Sequence, residues 1–191
     1  MVDPYIDPAS GVLRNILGIV DQDILDLAER EATALRNVEL KLSFVMGAYD
    51  LKHLQSFHRH LFQDVYQWAG EIRTVNISKR SSLFCLPEHI ESAAHGVFKP
   101  LSAINNLPND PIEVANILAQ FLGDINALHP FREGNGRAQR CFIWQFAFQR
   151  GWSINWTLLD EEANTRASIH AMSGECATLA GLIEPLLEPA M

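Results

Sequence analysis

An all-α bundle carrying one small β-hairpin is the fold class this sequence predicts, and three observations predict it. Apolar residues recur at helical spacing through most of the 191 residues. Period-two alternation with β-branched residues is clear in one place, Ile72-Arg-Thr-Val-Asn-Ile77. Acidic capping residues stand where helical stretches begin, with Asp50 and Asp110 the clearest. At 48% hydrophobic and 20% charged residues, the chain reads as one domain with enough apolar mass for a core.

Residues 1–20 carry Pro4, Pro8, Gly11 and Gly18 and read as an extended arm with turns. A helix follows over 21–36, capped by Asp21 or Asp23, with Ile24, Leu27, Ala28, Glu31 and Leu35 at the helical period. A shorter helical piece spans 38–48. Asp50 caps the next helix, whose face carries Leu51, Leu54, Phe57, His58 and Leu61 and which runs toward Gly70. Residues 72–86 form the hairpin, turning at Ser78-Lys-Arg-Ser-Ser82. Pro87 opens a helix with Ile90, Ala94, Val97, Phe98 and Leu101 inward. Asp110-Pro111-Ile112-Glu113 resembles a capping box and opens a helix to about Leu128. The helix over 136–149 is apolar nearly all round and is expected at the centre of the core. Helices over 160–171 and 174–187 complete the chain.

Between the last two core helices lies His129-Pro-Phe-Arg-Glu-Gly-Asn-Gly-Arg-Ala-Gln-Arg140. Read as chemistry, it is a phosphate site. A histidine, here His129, can take a proton near neutral pH, and Pro130 fixes a bend. Gly134 and Gly136 permit left-handed or crowded backbone, so amide N–H groups can converge on an anion at a helix N-terminus. Arg137 and Arg140 are three apart and share a helix face. Glu133 is the one acid in this basic nest, which makes sense if it holds Mg²⁺ between phosphate oxygens. His53, His58 and His60 invite a metal reading, but His58 and His60 fall on different helix faces.

The net charge of −8 argues against a general nucleic-acid or membrane surface. Three cysteines, odd in number and widely spaced, suit the reduced thiols of a cytoplasmic protein. The first residues show no basic and apolar leader, and no apolar stretch is long enough to span a bilayer.

The motif HPFREGNGRAQR resembles that of Fic-domain proteins, HPFx(D/E)GNGRxxR, with every defining position filled. Phe57-His-Arg-His-Leu-Phe-Gln-Asp-Val-Tyr-Gln-Trp-Ala-Gly-Glu-Ile-Arg73 is similar to the family segment leading into the hairpin, and residues 5–19 look like the stand-alone bacterial Fic toxins. The resemblance implies one Fic domain over 1–191, with residues 72–86 as its "flap" and 129–140 as its active-site loop. It implies transfer of AMP from ATP to a Ser, Thr or Tyr hydroxyl of a protein target. His129 would be the base. Gly134, Asn135, Gly136, Arg137 and Arg140 would bind phosphates, with Mg²⁺ on Glu133. The target would lie along the flap, near Ile77, Ser78, Lys79 and Phe84, with Lys79 and Phe84 against the target or the adenine. Arg132, at the variable position, is expected to face solvent.

Transfer of UMP or phosphocholine stays open, because nothing in the motif reads a base. The phosphorylating branch carries a lysine where this chain has Gly136. A non-catalytic nucleotide sensor would need no base at His129. The family's inhibitory pattern (S/T)xxxE(G/N) is not found; Thr157-Leu-Leu-Asp-Glu161 is followed by Glu162. The resemblance therefore implies a toxin held by a separate small antitoxin whose Glu meets Arg140. In that class, targets include the ATPase subunits of bacterial type II DNA topoisomerases.

Overall fold

The computed structural model describes residues 3–79 and 82–190, apart from the side chains of Lys79 and Ser82. Among these residues the fold is helical, with two short antiparallel strand pairs. The predicted class therefore holds.

Helix α1 (Gln22–Leu42) starts where the Asp21 carboxylate accepts the Ile24 N–H, and it is continuous to Leu42. The separate piece expected over 38–48 is not formed: residues 38–42 continue α1, and the rest stays out of a helix for a specific reason. The side-chain amide of Gln145 takes both the N–H and the C=O of Val45, at 3.0 and 2.8 Å, leaving nothing for helical pairing. α1 also buries a different face from the apolar one read in sequence. Leu25, Glu29, Thr33 and Leu40 point inward, while Ile24, Leu27 and Leu35 are exposed.

Helix α2 (Leu51–Phe62) is capped by Asp50, which accepts the His53 N–H. It buries His53, Leu54, Phe57, His58, Leu61 and Phe62. It stops at Phe62, short of Gly70, because the chain turns back over it. Gly70, at φ +83°, gives its N–H to His58 Nδ1 at 2.8 Å.

The hairpin is shorter than expected: β1 (Ser78–Lys79) pairs with β2 (Ser82–Leu83), Ser78 opposite Leu83 and Lys79 opposite Ser82. Residues 72–77 form no strand, since Arg73 draws the local carbonyls onto its guanidinium. A turn at Pro87–His89 leads into α3 (Ile90–Ser102).

Helices α4 (Pro111–Leu128) and α5 (Asn135–Phe148) flank the motif loop. Asp110 caps α4 by accepting the Ile112 N–H, with Pro111 at the first turn. Phe142 of α5 is buried and meets the rings of Tyr49, Phe57 and Phe98 edge-on. α5 is not buried all round as expected: Trp144 and Phe148 are half-buried and stack on each other.

After Gly151 come β3 (Trp152–Ile154), α6 (Glu161–Ala171), α7 (Ala177–Ile183) and β4 (Leu187–Pro189). The last helix thus ends at Ile183 instead of running to 187. Its tail returns as β4 to pair with β3, a long-range pairing that three residues of strand cannot announce in sequence. Among the described residues, no helix is long and apolar enough to cross a membrane.

Candidate active site

Arg73 is the post around which the site is hung. Its side chain is fully buried, and no carboxylate pairs with it among the described residues. Its N–H groups donate to four carbonyls: His129 (2.8 Å), Val75 (2.7 Å), Cys85 (2.5 Å) and Leu128 (3.4 Å). Its own backbone N–H donates to Pro130 O at 2.9 Å. One guanidinium therefore joins the end of α4, the motif loop and the two arms of the flap.

α4 ends on His129 in the left-handed region, at φ 44° and ψ 60°. That conformation is unusual for a residue with a Cβ and costs about 1 kcal/mol or more. Here Arg73 holds its carbonyl and Pro130 follows. The ring lies flat on Phe84, with centroids 3.7 Å apart. Nδ1 is 3.3 Å from Asn126 Oδ1, which only accepts, so the proton sits on Nδ1 and the lone pair on Nε2. Phe84 is buried, so its first effect is to orient the His129 ring.

The loop is braced from within. Asn135 accepts the Phe131 N–H at 2.9 Å and donates to Phe131 O at 2.7 Å. Its buried amide is a staple across the loop, where the sequence pointed to an added phosphate donor. Gly134 sits at φ +76°, and a Cβ there would fall 2.2 Å from the Phe62 ring, so both the conformation and the space require glycine. Gly136 is already helical, and only Arg140 stands close to it. The N–H groups of Asn135, Gly136 and Arg137 precede the first helical hydrogen bond of this end, Ala138 N–H to Gly134 O at 3.1 Å. Such an N-terminus favours an anion.

Beneath the loop lies His58, which sequence offered as a metal candidate. Its Nδ1 accepts from Gly70, so Nε2 donates to Glu133 O at 2.9 Å. The ring stacks on Phe131 at 3.9 Å, and burial pushes its pKa down to about 4. It is a neutral strut, and among the described residues no group of three His, Cys, Asp or Glu is placed to hold a metal.

A cleft of about 540 Å³ opens over this loop. It gathers Ile77, Ser78 and Phe84 of the flap with His129, Glu133, Asn135, Gly136 and Arg140 of the motif. Gly134 lies behind, buried under Phe62. The Lys79 side chain falls outside the described residues. Arg132, expected in solvent, is instead bonded to Asp3 of the N-terminal arm at 2.8 Å. The far wall comes from α6, with Asn164, Thr165, Ser168, Ile169 and Met172. Sequence reading assigned that helix no role, because its polar residues match no motif.

The two arginines part company. Arg137 turns toward α1 and pairs with buried Glu29 at 2.5 Å, lying over the Phe62 ring. Arg140 stays in the cleft, and among the described residues no carboxylate forms an ion pair with it. Burial lowers its pKa, with Arg137 adding to the effect against Cys141 and Glu161, so an anion bound there would stabilise the charge. Glu133 is half-exposed at the cleft; its Oε1 accepts the Gly134 N–H at 2.9 Å. One carboxylate beside an anion cradle suits a hard divalent cation that takes its other ligands from phosphate and water.

Comparison with known proteins agrees with this geometry. The Fic/DOC family profile matches residues 48–147. The protein adenylyltransferase VbhT of Bartonella schoenbuchensis is 41% identical over 182 residues, which are 95% of this chain and 38% of that protein. The probable protein adenylyltransferase y4lH of Sinorhizobium fredii is 37% identical over 187 residues, 97% of this chain and 96% of that one. The N-terminal Fic domain of a putative cell filamentation protein of Bartonella quintana, solved with bound ADP, superposes with a TM-score of 0.87 at 27% identity, covering 97% of this chain and 95% of that one. By its complete motif, its fold and these relatives, the chain belongs to the Fic/DOC family.

Proposed function

We propose that this chain moves AMP from ATP onto a Ser, Thr or Tyr hydroxyl of a protein target docked along the flap. The enzyme class is protein adenylyltransferase, as for the curated relatives. The observation that carries the reading is the meeting, in one cleft, of a base at His129, an open helix N-terminus and Arg140. Binding alone would need no such base.

The target oxygen attacks the α-phosphorus as His129 Nε2 takes its proton, a form of base catalysis worth roughly 10²–10⁴ in rate. The new O–P bond forms as the bond to the β-phosphate oxygen breaks, and pyrophosphate leaves. The N–H groups opening α5 face the phosphate charge that builds up, a kind of donor worth roughly 10²–10³ each. Arg140 holds the outer phosphates. Glu133 would hold Mg²⁺, which would supply positive charge against the phosphates. The polar face of α6, with Asn164, Thr165 and Ser168, is the surface left for the base and ribose. Regulation is by a separate small protein whose Glu meets Arg140. Its support is an arginine that no carboxylate among the described residues reaches at ion-pair distance, in a chain that lacks the (S/T)xxxE(G/N) pattern. The ATPase subunit of a bacterial type II topoisomerase is the first target to try.

The test is labelling of a bacterial lysate, and of that subunit, by the purified chain with Mg²⁺ and α-³²P-ATP. A band that disappears with His129→Ala is expected. Label arriving only from γ-³²P-ATP, or label unaffected by His129→Ala, would overturn the reading.

A further inference from the structure

Arg137 lies between two carboxylates, and one nitrogen decides between them. Its Nη2 is 2.5 Å from Glu29 Oε1 and 3.8 Å from Glu133 Oε1. Glu29 belongs to α1, outside the motif, and is buried among Leu25, Thr33 and Leu40 on the inward face of that helix. Its other oxygen accepts the Tyr66 hydroxyl at 2.5 Å. Both oxygens are thus engaged, and Glu29 is held from two sides. Glu133 accepts the Gly134 N–H, has Arg137 no nearer than 3.8 Å, and is half-exposed. A buried carboxylate without its cation is strongly disfavoured, so the pair with Glu29 is the one that fixes Arg137.

We infer that Glu29 is a positioning residue for Glu133: by holding Arg137 at a distance, it keeps the Glu133 carboxylate available to a divalent cation brought in with the nucleotide. If Glu29 were neutral, Arg137 would have one carboxylate within reach, and its guanidinium would close the 3.8 Å gap to Glu133. The motif's own acid would then be neutralised by the motif's own arginine. The inference rests on the proposed role of Glu133, and it assigns Glu29 an effect on metal binding that its place in the core alone would not give it.

The experiment is binding of Mn²⁺ to the full chain with saturating ADP, read by the electron paramagnetic resonance signal of free Mn²⁺. Glu29→Gln keeps size and hydrogen bonding while removing the charge, and it is expected to weaken Mn²⁺ binding about tenfold or more, as loss of an outer-shell partner does. Tyr66→Phe leaves the Glu29 charge in place and should leave Mn²⁺ binding unchanged, even if stability falls. The double variant Glu29→Gln, Arg137→Met frees Glu133 again and should restore Mn²⁺ binding. Glu29→Asp, a smaller change to the core, should move it in the same direction as Glu29→Gln by a smaller factor. Unchanged Mn²⁺ binding in the folded Glu29 variants, or no recovery in the double variant, would overturn the inference while Glu133 keeps its role. Absence of ADP-dependent Mn²⁺ binding in the wild type would overturn both.

Discussion

Gly134 shows how much of the site turns on single atoms. Its φ of +76° closes the loop onto α5, and its missing Cβ leaves room for the Phe62 ring. Gly134→Ala adds a left-handed alanine and a contact 2.2 Å from that ring. Each effect costs about 1–3 kcal/mol, so a loss of about 3 kcal/mol is expected from urea midpoints. Phe62→Leu in the same chain relieves the contact but not the dihedral, so the double variant should lose less than the two single losses added together. Strict additivity would show that the ring does not set the cost. At this scale the sequence was legible wherever a residue type has few uses. The twelve motif residues located the cleft, which gathers His129, Glu133, Asn135, Gly136 and Arg140. What it could not show was direction. Asn135 serves the loop backbone and Arg132 serves Asp3, because a side chain's partner depends on what the fold brings beside it.

At the scale of elements, the joint between flap and loop depends on Arg73. Because one planar fork serves four carbonyls on three segments, its loss exposes several buried acceptors at once. Arg73→Met, close in length and without donors, should cost about 3 kcal/mol or more in thermal or urea unfolding. Arg73→Lys should recover only part of this, since an ammonium cannot span the four positions. Hydrogen exchange gives the sharper check: the amide of Cys85, bonded to Ala127 O at 3.0 Å, should exchange faster in Arg73→Met. Protection there equal to wild type would mean the flap is held by other contacts. The acid-capped α4 was readable almost to both ends, and α2 at its start, though it stops at Phe62 well short of Gly70. α1 was readable as a helix but not as a face, because its apolar residues surround it and its inward stripe includes Glu29 and Thr33. The β3–β4 pair was not readable, since long-range pairing lives in the register between distant strands.

For the molecule as a whole, two buried histidines of α2, His58 beneath the loop and His53 between Val45 and Tyr49, set a pH window. Burial pushes His58 down to about 4 and lowers His53 as well, while an unfolded histidine titrates near ~6.5. Between about pH 6.5 and 4 the unfolded chain therefore binds more protons than the folded one. The stability these groups contribute is complete above about 6.5 and is lost as pH falls toward 4. His58 alone accounts for about 3 kcal/mol across that window. Its Nδ1 accepts from Gly70, where the chain turns back over α2, and its Nε2 donates to Glu133 in the motif, so protonating Nδ1 breaks the bond to Gly70 and buries a charge beneath the loop. Urea midpoints measured between about pH 7.5 and 4.5 should fall steadily for the wild type. His58→Gln should be less stable at neutral pH but should lose less on acidification, keeping the part of the slope that belongs to His53. If the folded variant keeps the full wild-type slope, His58 is not the group that titrates, and the acid sensitivity lies elsewhere in the bundle.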